Sequence, residues 1–269
     1  MDIAFIDFWQ GFDPHNNFLL HAVREVRDNV RSVIPTKADV IFFSVFGDKN
    51  KHYANHKKIA YTGENVAHDQ LPEHDFAFSF SPTKDNNYRL PLWVWYIDWF
   101  GKDNDAVSLS HLTPETNPYY KNIQDRRKFC ATIFSNPVKS RFDAIHRISH
   151  IARVDNYGKY GNYLEPGNQQ KYDLLSQYKF NLCFENSLAE GYVTEKLFQA
   201  LIAGTIPIYW GDDYAWTDFS APFIKHEQWD STIEQIRNAM TIDSPIIMDE
   251  PFINESIFPD FLSTLHLLI

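Results

Sequence analysis

The stretch that decides the fold is residues 178–211, YKFNLCFENSLAEGYVTEKLFQALIAGTIPIYWG. Its first part, residues 180–184, is a short apolar run of the kind found in buried strands. A polar loop follows, and then a helical pattern over residues 194–203 that ends at Gly204. A second apolar run, residues 205–210, is typical of another strand. A strand, a crossover helix and a strand in this order predict a parallel α/β sheet.

The residues with chemical potential in this stretch lie in the loop and at the start of the helix. In open α/β sheets, ligands bind beyond the carboxyl ends of the strands, where helix N-termini favour phosphate. Thr194 is placed to cap the helix, and Glu195 and Lys196 fall in its first turn. A helix N-terminus already carries partial positive charge, so a lysine there favours an anionic ligand. The alternative is an ordinary exposed Glu195–Lys196 pair on a capped helix, and the pattern alone does not separate the two.

Strand and helix patterns alternate on both sides of this stretch. A helical face is predicted from Asn17 to Val33, and a helix after residue 134 is predicted to begin with Asn136 as N-cap and Pro137 in its first turn. Residues 90–100 fit either a helix or a buried strand. Two α/β halves with a seam near residues 140–165 describe the pattern most simply. The other predicted strands are 3–8, 39–43, 58–62, 76–80 and 128–134, and the other predicted helices are 168–178, 231–240 and 258–269.

Composition excludes several classes of protein. The 269 residues are 44% apolar and 22% charged, which is close to the globular average. The formal net charge of −10 argues against a nucleic-acid partner, which requires a basic surface. The N-terminus lacks the basic region of a signal peptide, and no apolar run is long enough to predict a transmembrane segment. Cys130 and Cys183 lie in apolar surroundings and are expected to be reduced thiols.

The segment around residues 184–211 resembles the donor-binding signature of glycosyltransferase family 10, the α-1,3-fucosyltransferases, and most closely that of bacterial members, as in Helicobacter. The similarity rests on five blocks in the correct order and spacing. They are Phe184-Glu185-Asn186-Ser187, Tyr192-Val193-Thr194-Glu195-Lys196, Ala203-Gly204, Pro207-Ile208 and Gly211. Weaker similarities lie upstream in the family's order, in residues 61–65 (YTGEN), the segment from Ser135 through Arg141, and residues 154–161 (VDNYGKYG). Together the resemblance covers roughly residues 1–245.

The resemblance implies an α/β fold of the GT-B type, with two Rossmann-like domains that face each other across a cleft. We expect an N-terminal acceptor-side domain over residues 1–150, a C-terminal GDP-fucose-binding domain over residues 151–245, and a helical segment over residues 246–269. Neither leucine heptads nor a basic amphipathic tail follow residue 245. Membrane attachment and dimerisation through such a tail are therefore not expected, and the oligomeric state stays open. The expected location is the cytoplasm, or the periphery of a membrane where glycans are assembled.

The activity implied by the resemblance is inverting transfer of fucose from GDP-fucose to a glycan hydroxyl. The expected acceptor is the 3-hydroxyl of N-acetylglucosamine in N-acetyllactosamine-type glycans. One alternative is a GT-B transferase that uses another GDP-sugar. A second alternative, from a different class, is a non-catalytic module that binds a glycan or a nucleotide. Neither alternative is excluded by the residues themselves, although Glu64 beside an intact donor signature argues against the second.

The resemblance also assigns roles to individual residues. Glu64 is the expected general base, since an attacking sugar hydroxyl has a high pKa and must lose its proton. Arg141 and Lys196 are expected to stabilise the charge that develops on the departing diphosphate. The expected donor-binding residues are Arg141, Asn186, Tyr192, Glu195 and Lys196. Three simpler interpretations stay open: Glu64 as a turn residue, Arg141 as an exposed helix arginine, and Glu185 as a buried structural carboxylate.

No protein-bound metal is expected. Residues 103–105 (DND) have the D-x-D form that binds a metal in the other large glycosyltransferase fold, but three residues in an acidic chain match it by chance. Asp212 and Asp213 fit a solvated strand end, and the 11 histidines show no spacing typical of zinc. We therefore expect that no cofactor is strictly required, while stimulation by Mn²⁺ or Mg²⁺ through the nucleotide is compatible with this expectation.

Overall fold

The structure is a computed structural model that describes residues 1–103, 105–121, 126, 128–241 and 250–269. Its contacts divide the chain into two compact units. Unit 1 contains Met1–Trp95, Ala189–Tyr192 and Glu255–Ile269, and unit 2 contains Tyr96–Leu188 and Val193–Asn254. Each unit is built on its own parallel sheet, as the alternating pattern predicts.

The sheet of unit 1 has the strand order β2-β1-β3-β4-β5-β6, and every neighbouring pair is parallel. Strands β3 and β5 are buried along their whole length, which explains why they read as continuous apolar runs. Helices α1 and α7 pack together, with the rings of Phe18 and Phe261 stacked 5.5 Å apart. The elements are β1 (Asp2–Ile6), α1 (Phe18–Val26), β2 (Arg31–Ser32), β3 (Val40–Phe43), β4 (Lys57–Tyr61), β5 (Phe76–Ser79), β6 (Asn87–Arg89) and α7 (Ile257–Leu268).

The sheet of unit 2 has the order β11-β10-β9-β7-β8 and is also parallel throughout. Its central strand β9 is almost entirely buried. The apolar cluster on this sheet includes Cys130, Phe180, Ile208 and Ile236. The elements are β7 (Lys128–Ile133), α2 (Lys139–Ile148), β8 (Val154–Tyr157), α3 (Asn168–Leu175), β9 (Tyr178–Phe184), α4 (Glu195–Ile202), β10 (Ile206–Trp210), α5 (Ala215–Asp218), β11 (Ile224–Lys225) and α6 (Trp229–Met240).

Three predicted helix boundaries are wrong. The helix predicted over residues 168–178 ends at Leu175, since Tyr178 already begins β9. The helix predicted to run to Val33 ends at Val26, because Arg27 is extended and Asn29 adopts a left-handed φ of 56° before β2 begins. The helix predicted to start at Asn136 and Pro137 begins at Lys139, with Val138 at the N-cap position. The ambiguous stretch 90–100 contains a short 3₁₀ turn, Leu92–Tyr96, rather than a strand or an α-helix.

The units follow contacts rather than the predicted division at residue 150. Strand β7 belongs to unit 2 because it pairs with β9, and helix α7 belongs to unit 1. Residues 242–249, where the predicted boundary at 245 falls, lie outside the described residues. The assignment of an acceptor side and a donor side therefore stays a prediction.

Two expectations about the chain's chemistry can be compared with the structure. Cys130 and Cys183 are both free and buried, as expected, and burial raises the pKa of both thiols. In the part of the chain that the structure describes, no helix is both long and apolar enough to cross a membrane.

Candidate functional site

A fully buried carboxylate stands at the carboxyl end of β9, the central strand of unit 2. Glu185 follows the last residue of this strand and has no exposed surface. Its carboxylate accepts hydrogen bonds from the backbone N–H of Thr194, at 2.8 Å, and from the Thr194 hydroxyl. The Lys196 ammonium lies 3.1 Å from the other carboxylate oxygen. The interpretation of Glu185 as a buried structural carboxylate therefore fits its contacts.

These contacts change the predicted role of Thr194. It occupies the N-cap position of α4, but its side chain makes no cap hydrogen bond. Its hydroxyl instead donates to Glu185 and accepts from Lys196 at 2.8 Å. The start of α4 is thus tied to the end of β9 through side chains that are nine residues apart in sequence.

Lys196 is held from two sides and stays partly exposed. Its ammonium contacts Glu185 at 3.1 Å and Glu195 at 3.3 Å, and its side chain is 17% exposed. An ammonium fixed in this way at the first turn of α4 can contact an anion together with the backbone N–H groups of the helix. Burial would raise the pKa of Glu195, but the charges of Lys196 and Lys171 and the hydrogen bonds to its carboxylate together outweigh burial and lower that pKa, so Glu195 stays a hydrogen-bond acceptor at neutral pH.

Arg141, on α2, is 2% exposed, so its interpretation as an exposed helix arginine is wrong. Its guanidinium donates to the carbonyl of Phe184, the last residue of β9, and to the carbonyl of Asn136 at 3.1 Å. It also lies over the ring of Phe134, 5.4 Å from its centroid. Arg141 and Lys196 line the same narrow cavity of about 20 Å³, which has room for roughly one water molecule. The structure therefore brings both predicted cations to the end of β9.

The loop between Glu185 and Thr194 is divided between the units. Asn186 is half-buried in unit 2, beside Glu185, whereas Tyr192 is buried in unit 1 with its ring 5.1 Å from that of Phe80. The Gly191 carbonyl accepts two hydrogen bonds from the Arg89 guanidinium, at 3.0 and 3.2 Å. Gly191 has a φ of 80°, and a Cβ there would lie 2.2 Å from the Phe80 carbonyl oxygen, so only glycine fits.

Glu64 lies in unit 1, apart from the predicted donor residues of unit 2. It follows β4, and its backbone N–H donates to the hydroxyl of the fully buried Thr62 at 3.1 Å. Gly63 is packed on Leu92, since a Cβ there would lie 2.6 Å from that side chain. The backbone at Thr62 and Gly63 is thus fixed just before an exposed carboxylate at the carboxyl edge of the sheet. Such a position suits a general base, a role that stays a prediction.

The acidic residues considered as metal ligands have other partners. The Asp105 carboxylate accepts hydrogen bonds from Asn168, and the Asp103 carboxylate accepts one from the backbone of Asp105 at 3.0 Å. Asn104 lies outside the described residues. Asp213 pairs with Lys225 at 2.6 Å. Over the described ranges, no group of three or more His, Cys, Asp and Glu side chains is arranged to hold a metal ion.

One supporting residue, Arg126, was missed by the sequence interpretation. Its guanidinium donates to the carbonyls of Ala203 at 2.7 Å, Tyr178 at 3.1 Å and Tyr119 at 3.1 Å, and so holds the end of α4. Burial lowers the pKa of Arg126 to about 10, partly offset by Tyr120. No local signal marks this arginine, because two of these acceptors are more than 50 residues away in sequence.

Comparison with known proteins gives the same family on both parts of the chain. Residues 3–96 match the family model of the α-(1,3)-fucosyltransferase FucT N-terminal domain. Residues 123–243 match that of the glycosyltransferase family 10 (fucosyltransferase) C-terminal domain. The α-(1,3)-fucosyltransferase FucT of Helicobacter pylori is 32% identical over 208 residues, which cover 68% of this chain and 44% of that protein.

A human protein and a solved structure show two further similarities. The human 4-galactosyl-N-acetylglucosaminide 3-α-L-fucosyltransferase 9 is 29% identical over 151 residues, which cover 54% of this chain and 42% of that protein. The chain thus spans less than half the length of these curated relatives. A crystal structure of an α1,3-fucosyltransferase with GDP-fucose superposes with a TM-score of 0.66 and 25% identity, over 98% of this chain and 90% of that one.

The structural match confirms the predicted GT-B type of α/β fold. The two family models fall on the two sheets: the first covers the strands of unit 1, and the second covers those of unit 2. With the signature residues gathered at the end of β9, these findings show that the chain belongs to glycosyltransferase family 10, the fucosyltransferase family.

Proposed function

We propose that the protein is an inverting fucosyltransferase. It moves fucose from GDP-fucose to a glycan hydroxyl, the 3-hydroxyl of N-acetylglucosamine in N-acetyllactosamine-type glycans. The family supports the reaction, and the neighbouring structure with GDP-fucose supports the donor. The activity for which the human relative is named, that of a 4-galactosyl-N-acetylglucosaminide 3-fucosyltransferase, supports the acceptor and the linkage.

The observation that carries this proposal is the pair of cations at the end of β9. As the bond between fucose C1 and the diphosphate oxygen breaks, negative charge accumulates on the leaving GDP. Arg141 is held by the Phe184 carbonyl and Lys196 by the Glu185 carboxylate, so neither must reorganise as that charge develops. Arginine suits a bidentate contact with phosphate oxygens, whereas lysine acts as a point charge. Both residues therefore stabilise the transition state.

Glu64 supplies the other half of the chemistry. Its carboxylate takes the proton from the acceptor hydroxyl while that oxygen attacks C1 from the side opposite the diphosphate, which inverts the anomeric centre. Asn186, Tyr192 and Glu195 complete the donor site, with Glu195 accepting hydrogen bonds from sugar hydroxyls. In this assignment, residues 1–150 other than Arg141 serve the acceptor, and Arg141 serves the donor together with residues 151–245.

Metal chemistry is not part of the proposed mechanism. The two cations neutralise the diphosphate, and a divalent ion such as Mn²⁺ or Mg²⁺ acts only through the nucleotide. Activity should therefore persist in EDTA. Complete loss in EDTA that is restored by a divalent metal would show that the enzyme depends on the metal. We place the reaction in the cytoplasm or peripherally at a membrane where glycans are assembled, since a charged sugar nucleotide does not cross a lipid core unaided.

The test is incubation with GDP-fucose and N-acetyllactosamine, with GDP release and the mass of the glycan measured together. Expected is a fucosylated product with stoichiometric GDP. GDP release with GDP-mannose but not with GDP-fucose would mean that the donor is another GDP-sugar. Nucleotide or glycan binding without turnover would replace the transferase with a binding module.

A further inference from the structure

Three neighbouring strands of unit 1 bring three exposed side chains to one edge of the sheet. Strands β1, β3 and β4 are adjacent and parallel, with Ile6 paired to Phe43 and Phe43 to Ala60. Trp9, Phe46 and Glu64 each stand three residues beyond the last residue of these strands. Trp9 is 37% exposed and Phe46 49% exposed. The proposed base thus shares its edge with two solvent-exposed aromatic rings.

The exposed rings belong to a continuous aromatic array that we call the aromatic platform. It consists of Phe46, Trp9, Trp95 and Tyr61, all in unit 1. The ring centroids of Phe46 and Trp9 are 6.2 Å apart, those of Trp9 and Trp95 are 5.6 Å apart, and those of Trp95 and Tyr61 are 4.4 Å apart. Since Tyr61 is the last residue of β4, the platform ends at the turn that carries Glu64.

Asp7 holds the loop that carries Phe46 of the platform. This buried residue has a left-handed φ of 57°. Its carbonyl accepts the backbone N–H of Phe46 at 2.9 Å, and its carboxylate accepts those of Lys49 at 3.1 Å and Asn50 at 2.8 Å. Gly47 is so close that a Cβ there would lie 2.4 Å from a carboxylate oxygen of Asp7.

The left-handed conformation of Asp7 is a strained one for a residue with a side chain, and it persists only where the surroundings enforce it. Here it positions two rings that remain exposed to water. Residues held in such a conformation cluster at functional sites, which makes the exposed rings beside Asp7 a candidate binding surface.

The chemistry of the platform selects the kind of ligand. A rigid, uncharged aromatic surface offers no partner for phosphate, but it packs well against the C–H face of a sugar ring whose hydroxyls point elsewhere. Galactopyranose has such a face, because its axial 4-hydroxyl leaves the hydrogens on C3, C4 and C5 together on the opposite side. The adjoining Glu64 carboxylate and the net charge of −10 favour a neutral glycan over an anionic one.

We infer that the aromatic platform holds the acceptor. The ring planes of Trp9 and Phe46 lie at 80° to each other and form a corner, so the C–H face of a galactose ring stacks on Trp9 while its edge contacts Phe46. The inference rests on the proposed function and extends it, since Trp9 and Phe46 become the residues that recognise a neutral β-galactoside. Stacking fixes the disaccharide so that the hydroxyl of the adjoining sugar is presented to Glu64. Both residues are therefore positioning residues for the acceptor, without a part in the chemistry at C1.

Steady-state kinetics give the first test. Phe46→Leu keeps an apolar side chain of similar size but removes the ring, and Trp9→Ala removes the larger surface. Each should raise the KM for N-acetyllactosamine about tenfold. The KM for GDP-fucose and its slow hydrolysis without acceptor should not change. Trp9→Phe should restore most of the affinity. The control is Ile34→Ala, which alters an apolar side chain in the same unit that is 59% exposed.

A binding measurement keeps the inference separate from the proposed reaction. Saturation-transfer NMR of N-acetyllactosamine with the protein and GDP involves no transfer, so it reports contact alone. Expected is saturation of the galactose protons on C3, C4 and C5, which is lost in Phe46→Leu and Trp9→Ala while the melting temperature of Phe46→Leu is unchanged. Sugar binding without any fucose transfer would overturn the proposed function and leave the platform. Wild-type acceptor KM and saturation in both variants would overturn the platform.

Discussion

The carboxyl edges of the two sheets carry chemically different side chains. In unit 1 the edge carries exposed aromatic rings and the exposed carboxylate of Glu64. In unit 2 the edge carries Arg141, Glu185 and Lys196, charged side chains that are buried or nearly so and are bonded to one another or to strand carbonyls. Two parallel sheets of the same kind thus present, at equivalent positions, an apolar surface and a charged one.

The proposed roles of the two edges explain the difference. Charges act most strongly on a leaving diphosphate when they are desolvated, but a buried charge needs partners of its own. In unit 2 these partners are close in sequence for Glu185 and Lys196, but 43 residues away for Arg141, which bonds to the Phe184 carbonyl. Apolar rings require no charged partners. The variants below separate these two kinds of edge.

The largest effect is expected at the edge in unit 1. Glu64→Gln keeps the shape of the side chain but cannot accept a proton, so turnover should fall by about 10²–10⁴-fold with GDP-fucose binding nearly unchanged. Single-turnover rates and the Kd for GDP-fucose are the measurements. Glu25→Gln, an exposed carboxylate on α1, is the control. A Glu64→Gln enzyme with most of its turnover would remove Glu64 from the mechanism and leave Glu195 as the next carboxylate to test.

A substitution at the edge in unit 2 is expected to lower the stability of the folded protein. Glu185→Ala removes a fully buried carboxylate, takes from Lys196 its contact at 3.1 Å and takes from the Thr194 N–H its acceptor, at a cost of about 3 kcal/mol in the free energy of unfolding. Urea unfolding followed by circular dichroism measures it. Glu190→Ala, in the same loop but exposed, should change stability little. Equal stability of the two variants would mean that the buried pair contributes nothing net.

Lys196→Met sharpens the comparison because it removes the charge and keeps the length. Loss of a charged contact with the diphosphate should lower kcat/KM for GDP-fucose roughly 10–150-fold, from about 1.5–3 kcal/mol. Lys128→Met is the matched control, since Lys128 lies on the same sheet at the start of β7, the opposite edge. For Arg141 the suitable variant is Arg141→Lys rather than Arg141→Ala, because the hydrogen bonds from Arg141 to Phe184 and Asn136 also support the fold. Wild-type kinetics in both Lys196→Met and Arg141→Lys would overturn the donor-site assignment.

The smallest effect concerns pH. His226 is stacked on Phe184 and packs at a tilt against Trp229; burial lowers its pKa, and Arg147 acts in the same direction. Below about pH 6.5 the unfolded chain therefore binds a proton at His226 more readily than the folded chain does. The contribution of His226 to stability is present above about pH 6.5 and declines as the pH falls below it. The difference in melting temperature between pH 7.5 and pH 5.5 should shrink in His226→Phe, which keeps the stacking. A difference as large as in the wild type would assign the acid sensitivity to other groups, such as His68 and His111.

Local patterns predicted most of the secondary structure, because apolar runs and helical periodicity reflect burial directly. The signature residues were also predictable, since Glu185, Glu195 and Lys196 lie within one strand–loop–helix unit. Errors appeared where a local preference competed with a tertiary contact. Thr194 reads as a cap, yet its hydroxyl is used by Glu185, and Val30 and Val33 continue a helical pattern beyond the turn at Asn29.

Contacts between distant segments were not predictable. The Arg141 guanidinium bonds to a carbonyl 43 residues away, and Asp7 bonds to Asn50, also 43 residues away. Neither contact leaves a period or a motif in the sequence. The same holds for the platform, whose rings come from segments that lie far apart in sequence.

Asp7 has a consequence for enzyme engineering. This residue holds the loop of Phe46 through backbone groups, so these contacts do not involve the side chains at positions 9 and 46. A library that varies those two positions and keeps Asp7, Gly47 and Asn50 should retain folded members at high frequency. Replacing Asp7 would instead lose the loop in most clones, whatever stands at the variable sites. The support beneath the rings, and not the rings, thus sets how far acceptor preference can be redesigned.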